Sequence, residues 1–354
     1  MGVRRVGSLT ALIVTVATGW LAVVPASGQA SAPATQSKQS TSARLWSPPL
    51  LPDGHPDVQG VWVNNGATPL ERPKALEGRA FLTDEEVAAL KRRADHFREN
   101  DSDFAGGDSL FLATLTDVDK YKSAIATGGA ADGVERDFEN RTSLIVDPPD
   151  GMIPFTLEGR RRQDRAATVR ARPVPTDPED LPNDLRCLTF GVPRLGGNAA
   201  GYNSYYQIVQ APGYVVLFGE VIHDARVISL DGQPHLPADV GLWHGDSRGR
   251  WEGRTLVVDT TNFSSKSYFQ GSSENLHLIE RFTRSAADTI DYEVTVSDPG
   301  AWTRPWTALV HLKQSSDRMF EYACHEGNAP TVTDMLLGAH AADSSTIEVP
   351  AIPK

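Results

Sequence analysis

A mainly β fold is predicted for this chain by three observations. From Asn203 to Cys324 the apolar residues fall into short runs with period-two alternation, which puts successive side chains on opposite faces of a strand. Turn-forming pairs such as Pro212-Gly213, Asp231-Gly232 and Glu252-Gly253 punctuate these runs. No helical periodicity separates consecutive strands, so sequential antiparallel pairing is favoured over βαβ crossovers.

The chain opens with Arg4 and Arg5, an apolar run from Leu9 to Val24, and then small residues. This is the pattern of a signal peptide over residues 1–30, cleaved after Ala26 or Ala30. A membrane anchor fits less well, because glycine and threonine interrupt the run and no basic stop follows. The expected location is therefore periplasmic or secreted, with no transmembrane segment after cleavage. Residues 31–45 are rich in Ser, Ala, Thr and Gln, the composition of a disordered linker.

Residues 46–182 read as an arm of short helices and loops packed on the later core. A short strand centres on Val61-Trp62-Val63, and turn chemistry accounts for Asp53, His55 and Asp57 better than a metal loop does. Thr83 with Glu86 three residues on is a capping box, opening a helix through about Arg98 with apolar positions Val87, Leu90, Ala94 and Phe97. A second helix is expected from about Thr156 to Arg170, followed by a Pro-rich connector. The apolar periodicity of this half is too broken to build a core of its own.

Residues 183–354 are predicted as the antiparallel β-barrel core. Tyr205–Gln210 pairs with Tyr214–Phe218 across Ala211-Pro-Gly213, and Arg226–Leu230 forms the next strand. Gly249–Trp251 and Arg254–Asp259 flank a two-residue loop. Leu276–Thr283 pairs with Thr289–Val296, and Trp306–Lys313 with Met319–Cys324. The result is an up-and-down meander of about eight to ten strands, closed as a calycin-like barrel or folded as a curved sandwich.

Charge and cysteine usage narrow the function. The formal net charge is −11, and loss of Arg4 and Arg5 with the leader takes it to −13. Such a chain makes a poor nucleic-acid binder, since phosphate neutralisation needs clustered Lys and Arg. The basic run Arg160-Arg161-Arg162 reads as a solvated helix face. Two cysteines in an oxidising compartment predict one disulfide, Cys187 with Cys324. A metal reading of Cys324-His325 lacks a second ligand at zinc spacing near Cys187.

Candidate chemistry follows from alternation. Carried through Tyr214 to Ile228, it sets Tyr214, Phe218, Glu220, Asp224 and Arg226 on one face and Val215, Leu217, Gly219 and His223 on the other. In Leu276 to Thr283, Leu276, Leu278, Glu280 and Phe282 face inward, and His277 and Arg281 face outward. Glu321 follows Met319 in phase as a further inward acid. Glu220, His223, Asp224 and Glu280 are the candidate catalytic residues. Tyr205, Tyr214, Phe218, Arg226, Trp251, Arg281, Glu321 and His325 are the candidate ligand contacts. A general acid–base set without a metal fits these residues, and so does a structural ion-pair lattice at a barrel end. No nucleotide-binding, zinc-protease or nucleophile-elbow motif is present, so no cofactor is expected. A serine nucleophile at Ser247, with His244 nearby, reads more simply as a turn serine.

The segments Glu220-Val-Ile-His-Asp-Ala-Arg226, Gly245-Asp-Ser-Arg-Gly-Arg-Trp-Glu-Gly253, Ser272-Ser-Glu-Asn-Leu-His-Leu-Ile-Glu-Arg281 and Glu321-Tyr-Ala-Cys-His-Glu-Gly-Asn328 resemble those of a large family of exported bacterial proteins. The resemblance covers nearly the whole mature chain and implies export, but no activity, cofactor or catalytic residue. Members of that family usually carry Asp where Arg254 stands, and His244 looks like a variable position. The expected function is binding of a small, largely apolar or aromatic molecule in a barrel pocket with a charged rim. The alternative is a cofactor-independent hydrolase, lyase or isomerase using carboxylates and a histidine at the barrel mouth.

Overall fold

The structure, a computed structural model, describes residues 46–99, 111, 115, 136–170, 175, 177–195 and 205–345. The expected signal peptide (1–30) and linker (31–45) lie outside the described residues. Within them the chain forms ten strands: β1 (Gly60–Val63), β2 (Ile145–Asp147), β3 (Tyr205–Ala211), β4 (Tyr214–Gly219), β5 (Ala225–Ser229), β6 (Asp246–Glu252), β7 (Thr255–Thr261), β8 (His277–Ala286), β9 (Thr289–Ser297) and β10 (Trp306–Ser315). The described α-helices are α1 (Asp84–Glu99), α2 (Leu157–Arg170) and α3 (Cys324–Ser345). No helix among the described residues is long and apolar enough to cross a membrane.

Strands β1 and β3 to β10 close into a nine-stranded barrel in the order β1-β3-β4-β5-β6-β7-β8-β9-β10 and back to β1. The closing seam pairs Val61 with Ser315 and Val63 with Lys313, and β1 also pairs antiparallel with β3. Strand β2 lies beside the first part of β10, where Ala308 pairs with Ile145. The free edge of β10 is thus shared, with β2 at its start and β1 at its end. Closure satisfies the backbone groups that an open sheet would leave at its edges.

The three predicted hairpins are formed, with strands 205–211/214–219, 246–252/255–261 and 277–286/289–297. The loop of the second comprises Gly253 and Arg254, one residue later than expected. Three expectations are corrected. The barrel is mixed rather than purely up-and-down, because β5 and β6 pair in parallel, Ser229 opposite Arg248. Parallel neighbours cannot share a tight turn, and residues 230–245 make the crossover. Met319–Cys324 is not a strand; β10 pairs instead with β9 and β1, and helix α3 starts at Cys324. The third concerns β1, which comes from the segment expected to be an arm yet forms a stave, so the barrel is not confined to residues 183–354.

The core follows from alternation. Leu278, Glu280 and Phe282 of β8, Ile290, Val294 and Val296 of β9, and Trp306, Ala308, Val310 and Leu312 of β10 are all buried. Trp306 meets Trp302 edge-on at 5.7 Å and stacks on Phe269 at 6.0 Å, an aromatic cluster inside the main core. Burying one such large side chain contributes roughly 1.5–3 kcal/mol.

The capping box forms as predicted: the Thr83 backbone N–H donates to Glu86 Oε2 (2.9 Å), and the Glu86 N–H donates to Thr83 Oγ1 (3.3 Å). Helix α1 packs over a separate small cluster of Ala67, Leu76, Leu82, Leu90, Phe111 and Phe138. This segment therefore does hold a minor core, against the expectation from its periodicity, because its apolar residues come from loops as well as from the helix. The Thr156 hydroxyl caps α2 by accepting from the Gly159 N–H (2.9 Å). A Cβ at Gly159 would lie 2.1 Å from the Ala301 carbonyl oxygen, so only glycine lets this helix approach the barrel rim so closely.

Candidate functional site

A buried ion pair stands among the apolar side chains of the barrel interior. Arg226, on the inward face of β5, lies opposite Leu217 of β4. Its Nη1 and Nη2 donate to Glu280 Oε1 and Oε2 at 3.0 and 2.5 Å, a two-pronged pair reaching from β5 to β8. The Glu280 side chain is 1 % exposed and that of Arg226 10 %. The Tyr292 hydroxyl donates to Glu280 Oε1 at 2.8 Å, and Arg226 Nη2 also reaches Ser247 Oγ (3.3 Å) and Thr260 Oγ1 (3.4 Å). Burial works against the charge on Arg226, but the charge and hydrogen bonds of Glu280 outweigh it and raise its pKa.

A second pair sits on loops beside the first. Residues 187–195 run to the barrel from the disulfide between Cys187 and Cys324, whose Cα atoms are 5.9 Å apart. Arg194 Nη2 donates to Asp224 Oδ2 at 2.8 Å, with both side chains below 10 % exposure. The same oxygen accepts from the Phe190 backbone N–H (2.8 Å) and from the Thr189 hydroxyl (3.3 Å). The other, Oδ1, lies 3.3 Å from His244 Nε2, which is 2.7 Å from Thr189 Oγ1. Burial pushes the Asp224 carboxyl up, yet the His244 hydrogen bond and charge, the Phe190 N–H and Arg194 together hold it below its ordinary value.

Gly219, at the end of β4, makes room for Arg194. A Cβ there would meet Arg194 Nη1 at 2.6 Å, so the guanidinium lies directly over the bare backbone. Arg194 also faces the rings of Phe190 (5.0 Å) and Tyr206 (5.7 Å), which supplement its carboxylate partner.

Between the two pairs lies a cavity of about 50 Å³. Val192, Ile208, Leu217, Phe282 and Leu312 contribute its apolar wall; Arg194, Asp224, Arg226, His244, Glu280 and the rings of Tyr206 and Tyr292 line it too, with Gly191 and Gly219. A water needs roughly 10–15 Å³ of such space, so the cavity has room for about three to five water-sized groups. Burial raises the Tyr206 phenol to about 12, with Arg194 and Arg226 opposing and the Glu280 charge adding. The Tyr292 phenol is raised well above its ordinary value by burial and then by Glu280.

Each arginine keeps one buried nitrogen without a hydrogen-bond partner, Nη1 of Arg194 and Nε of Arg226. A buried donor left so is destabilised by about 1–3 kcal/mol. Arg162, Arg186, Arg284, Trp302 and Trp306 also carry such nitrogens, and none of these residues lines the cavity. Among the described residues, no three His, Cys, Asp or Glu side chains are grouped to hold a metal ion.

Of the twelve residues singled out from the sequence, Asp224, Arg226 and Glu280 meet at the cavity; the other nine do not line it. Glu220 is turned toward the segment before α3, where it accepts from the Phe320 backbone N–H at 2.9 Å. His223 is exposed. Both departures have one cause: Val221–His223 form a 3-10 turn in which Ile222 and His223 have positive φ (66° and 56°). The chain reverses between β4 and β5, so alternation cannot be carried from Tyr214 to Ile228, and Leu217 and Gly219 rather than Phe218 share the inner face with Arg226.

Tyr205 points away from its neighbour Tyr206 and bonds Asp317 (3.3 Å), while Tyr214 is 47 % exposed. Trp251 stacks on His55 at 5.0 Å, and Arg281 pairs with Glu252 at 3.0 Å on the outer face of β8. Glu321 and His325 are exposed, because this segment enters α3 instead of pairing as a strand. Of the charges at the cavity, Arg226 and Glu280 stand on strands and Arg194 and Asp224 on loops. Arg194, Tyr206 and Tyr292 are not singled out from the sequence, and His244 is set aside there after being weighed beside Ser247. Tyr292 was within reach, being in phase with Ile290 and Val294; Arg194 and His244 lie on loops, where no periodicity marks a face.

In comparisons with known proteins, no family model matches the chain, and no curated protein or solved structure gives a significant match.

Proposed function

We propose that this is an exported small-molecule-binding barrel whose ligand sits in the interior cavity. One observation carries the reading: a small cavity with an apolar wall and buried polar groups around it, a lining suited to a very small ligand. Export is supported by the leader-like N-terminus and by the Cys187–Cys324 disulfide, which belongs to oxidising compartments. The resemblance to exported bacterial proteins agrees with this.

Binding is favoured over acid–base catalysis because the carboxylates are already committed. Glu280 holds two guanidinium nitrogens and a phenol, and Asp224 holds Arg194, Thr189, the Phe190 N–H and His244. A general base needs a free acceptor facing the substrate. The enzyme reading keeps one specific support, His244 beside Asp224 in the cavity wall.

The test is calorimetric titration of the mature protein with small apolar compounds, alongside the variant Ile208→Trp. Binding by the wild type and its loss in the cavity-filling variant are expected. Equal binding by both would move the site elsewhere. Turnover of a bound compound that His244→Gln abolishes would establish the enzyme reading instead.

A further inference from the structure

Helix α2 has two unlike faces. Toward the barrel, Gly159 lies against the Ala301 carbonyl, Gln163 donates to Gln270 Oε1 (2.6 Å), and the Arg162 charge is paired with Glu158 at 3.4 Å. Leu157, Arg160, Arg161, Asp164, Arg165 and Thr168 recur at the i, i+3, i+4 spacing of one helix face, and all six are exposed. The Arg160 guanidinium rests over the Phe155 ring at 4.0 Å and donates to Gln163 (2.9 Å), so no carboxylate neutralises it. Arg161 and Arg165 have no ion-pair partner among the described residues. Three guanidinium groups against the Asp164 carboxylate leave this stripe cationic in a chain whose net charge is −11.

We infer that this face of α2 docks reversibly on an anionic lipid surface, its three arginines meeting headgroup phosphates and Leu157 entering the boundary between headgroups and acyl chains. The charge selects an anionic partner, and exposed apolar side chains select a lipid one. Leu157 opens the stripe at 70 % exposure, and Met152, in the segment before the helix, is 39 % exposed. An acidic peptide would match the arginines but leave the leucine in water. A membrane interface takes both, because arginine stems can lie along apolar surface while their heads stay with phosphates. The acidic remainder of the chain does not prevent the contact, since screening confines such forces to about 8 Å at physiological ionic strength. So few anchoring groups fall short of a permanent anchor, which makes the attachment reversible. The inference is independent of what the cavity holds.

Vesicle flotation with the mature protein tests this, using phosphatidylcholine alone and phosphatidylcholine mixed with phosphatidylglycerol. Binding to the mixed vesicles alone is expected, and it should weaken as salt rises from about 0.15 M to about 0.5 M. Arg161→Gln with Arg165→Gln should weaken it about 25-fold, at about fivefold for each basic residue near an anionic surface. Arg161→Lys with Arg165→Lys keeps the charge and should retain binding, and Leu157→Ser should weaken it with the charge unchanged. These side chains are exposed, so each variant should melt with the wild type. Should the double Gln variant melt early, Arg161→Gln alone reads the same stripe, with about a fivefold loss expected. Equal binding to both vesicle types, binding to neither, or wild-type binding by the Gln variants would overturn the inference. Binding to polyglutamate as tight as to the mixed vesicles, and unaffected by Leu157→Ser, would also overturn it and mark a site for acidic polypeptides.

Discussion

The two buried arginine–carboxylate pairs are built in different ways. Arg226 and Glu280 stand on strands β5 and β8, meet through both prongs and are braced by Tyr292, Ser247 and Thr260. Arg194 and Asp224 stand on loops and meet at a single oxygen, which Thr189 and the Phe190 N–H share. The first is held by the hydrogen-bonded barrel, the second by a segment that a disulfide anchors. The inner pair acts as a fixed wall of the cavity, and the outer pair as a wall that depends on its tether.

The largest expected effect comes from cutting that tether. The disulfide spans 137 residues, and in the chain-entropy model a loop of that size stabilises by about 4–5 kcal/mol. Replacing Cys187 and Cys324 together by Ser should lower stability toward that figure in urea. Hydrogen exchange should speed up most at residues 187–195 and little in β8 and β9. Uniform loss of protection would show that the two pairs are not separately supported.

Next comes Glu280→Gln, which strands the buried Arg226 charge and is expected to destabilise by about 3–5 kcal/mol. Replacing both partners, Arg226→Met with Glu280→Leu, should recover most of that loss. A single substitution costing less than about 1 kcal/mol would mean that water reaches the inner pair. Asp224→Asn should cost less, about 1.5–3 kcal/mol, the range for hydrogen bonds to a charged group, because much of its surroundings is backbone N–H and hydroxyl. A larger loss than for Glu280→Gln would invert the comparison.

The inner pair was partly legible in the sequence and the outer pair was not. Glu280 lies in an unbroken alternation with Leu278 and Phe282, and strand pairing carried that phase into the barrel. The hairpins were legible for the same reason, and the disulfide from the residue count. Asp224 was selected by counting through a turn whose positive φ values reset the phase, so it reached the site while Glu220 and His223 did not. Arg194 depends on the missing side chain of Gly219, a contact that no local pattern encodes. Barrel closure by β1 is likewise a long-range pairing, joining residue 61 to residue 315.

The smallest effects are those of pH, and they differ in sign at the two ends of the scale. The Asp224 carboxyl is held below its ordinary 3.8, so the stability it confers is complete above that value and is lost as pH falls through the depressed one. Tyr206 is raised from 10.0 to about 12, so its contribution is complete below 10.0 and is lost as pH rises through about 12. Asp224→Asn should flatten the acid limb of a denaturation profile and Tyr206→Phe the alkaline limb. Unchanged limbs would separate these groups from the stability of the cavity walls.

The barrel keeps an open, partly apolar cavity between the two pairs. The most direct measurement is a crystal structure of the protein under xenon pressure. A xenon atom is expected against Ile208, Leu217, Phe282 and Leu312, and its loss is expected in Ile208→Trp. Side chains closed across this space, with no xenon among them, would contradict it.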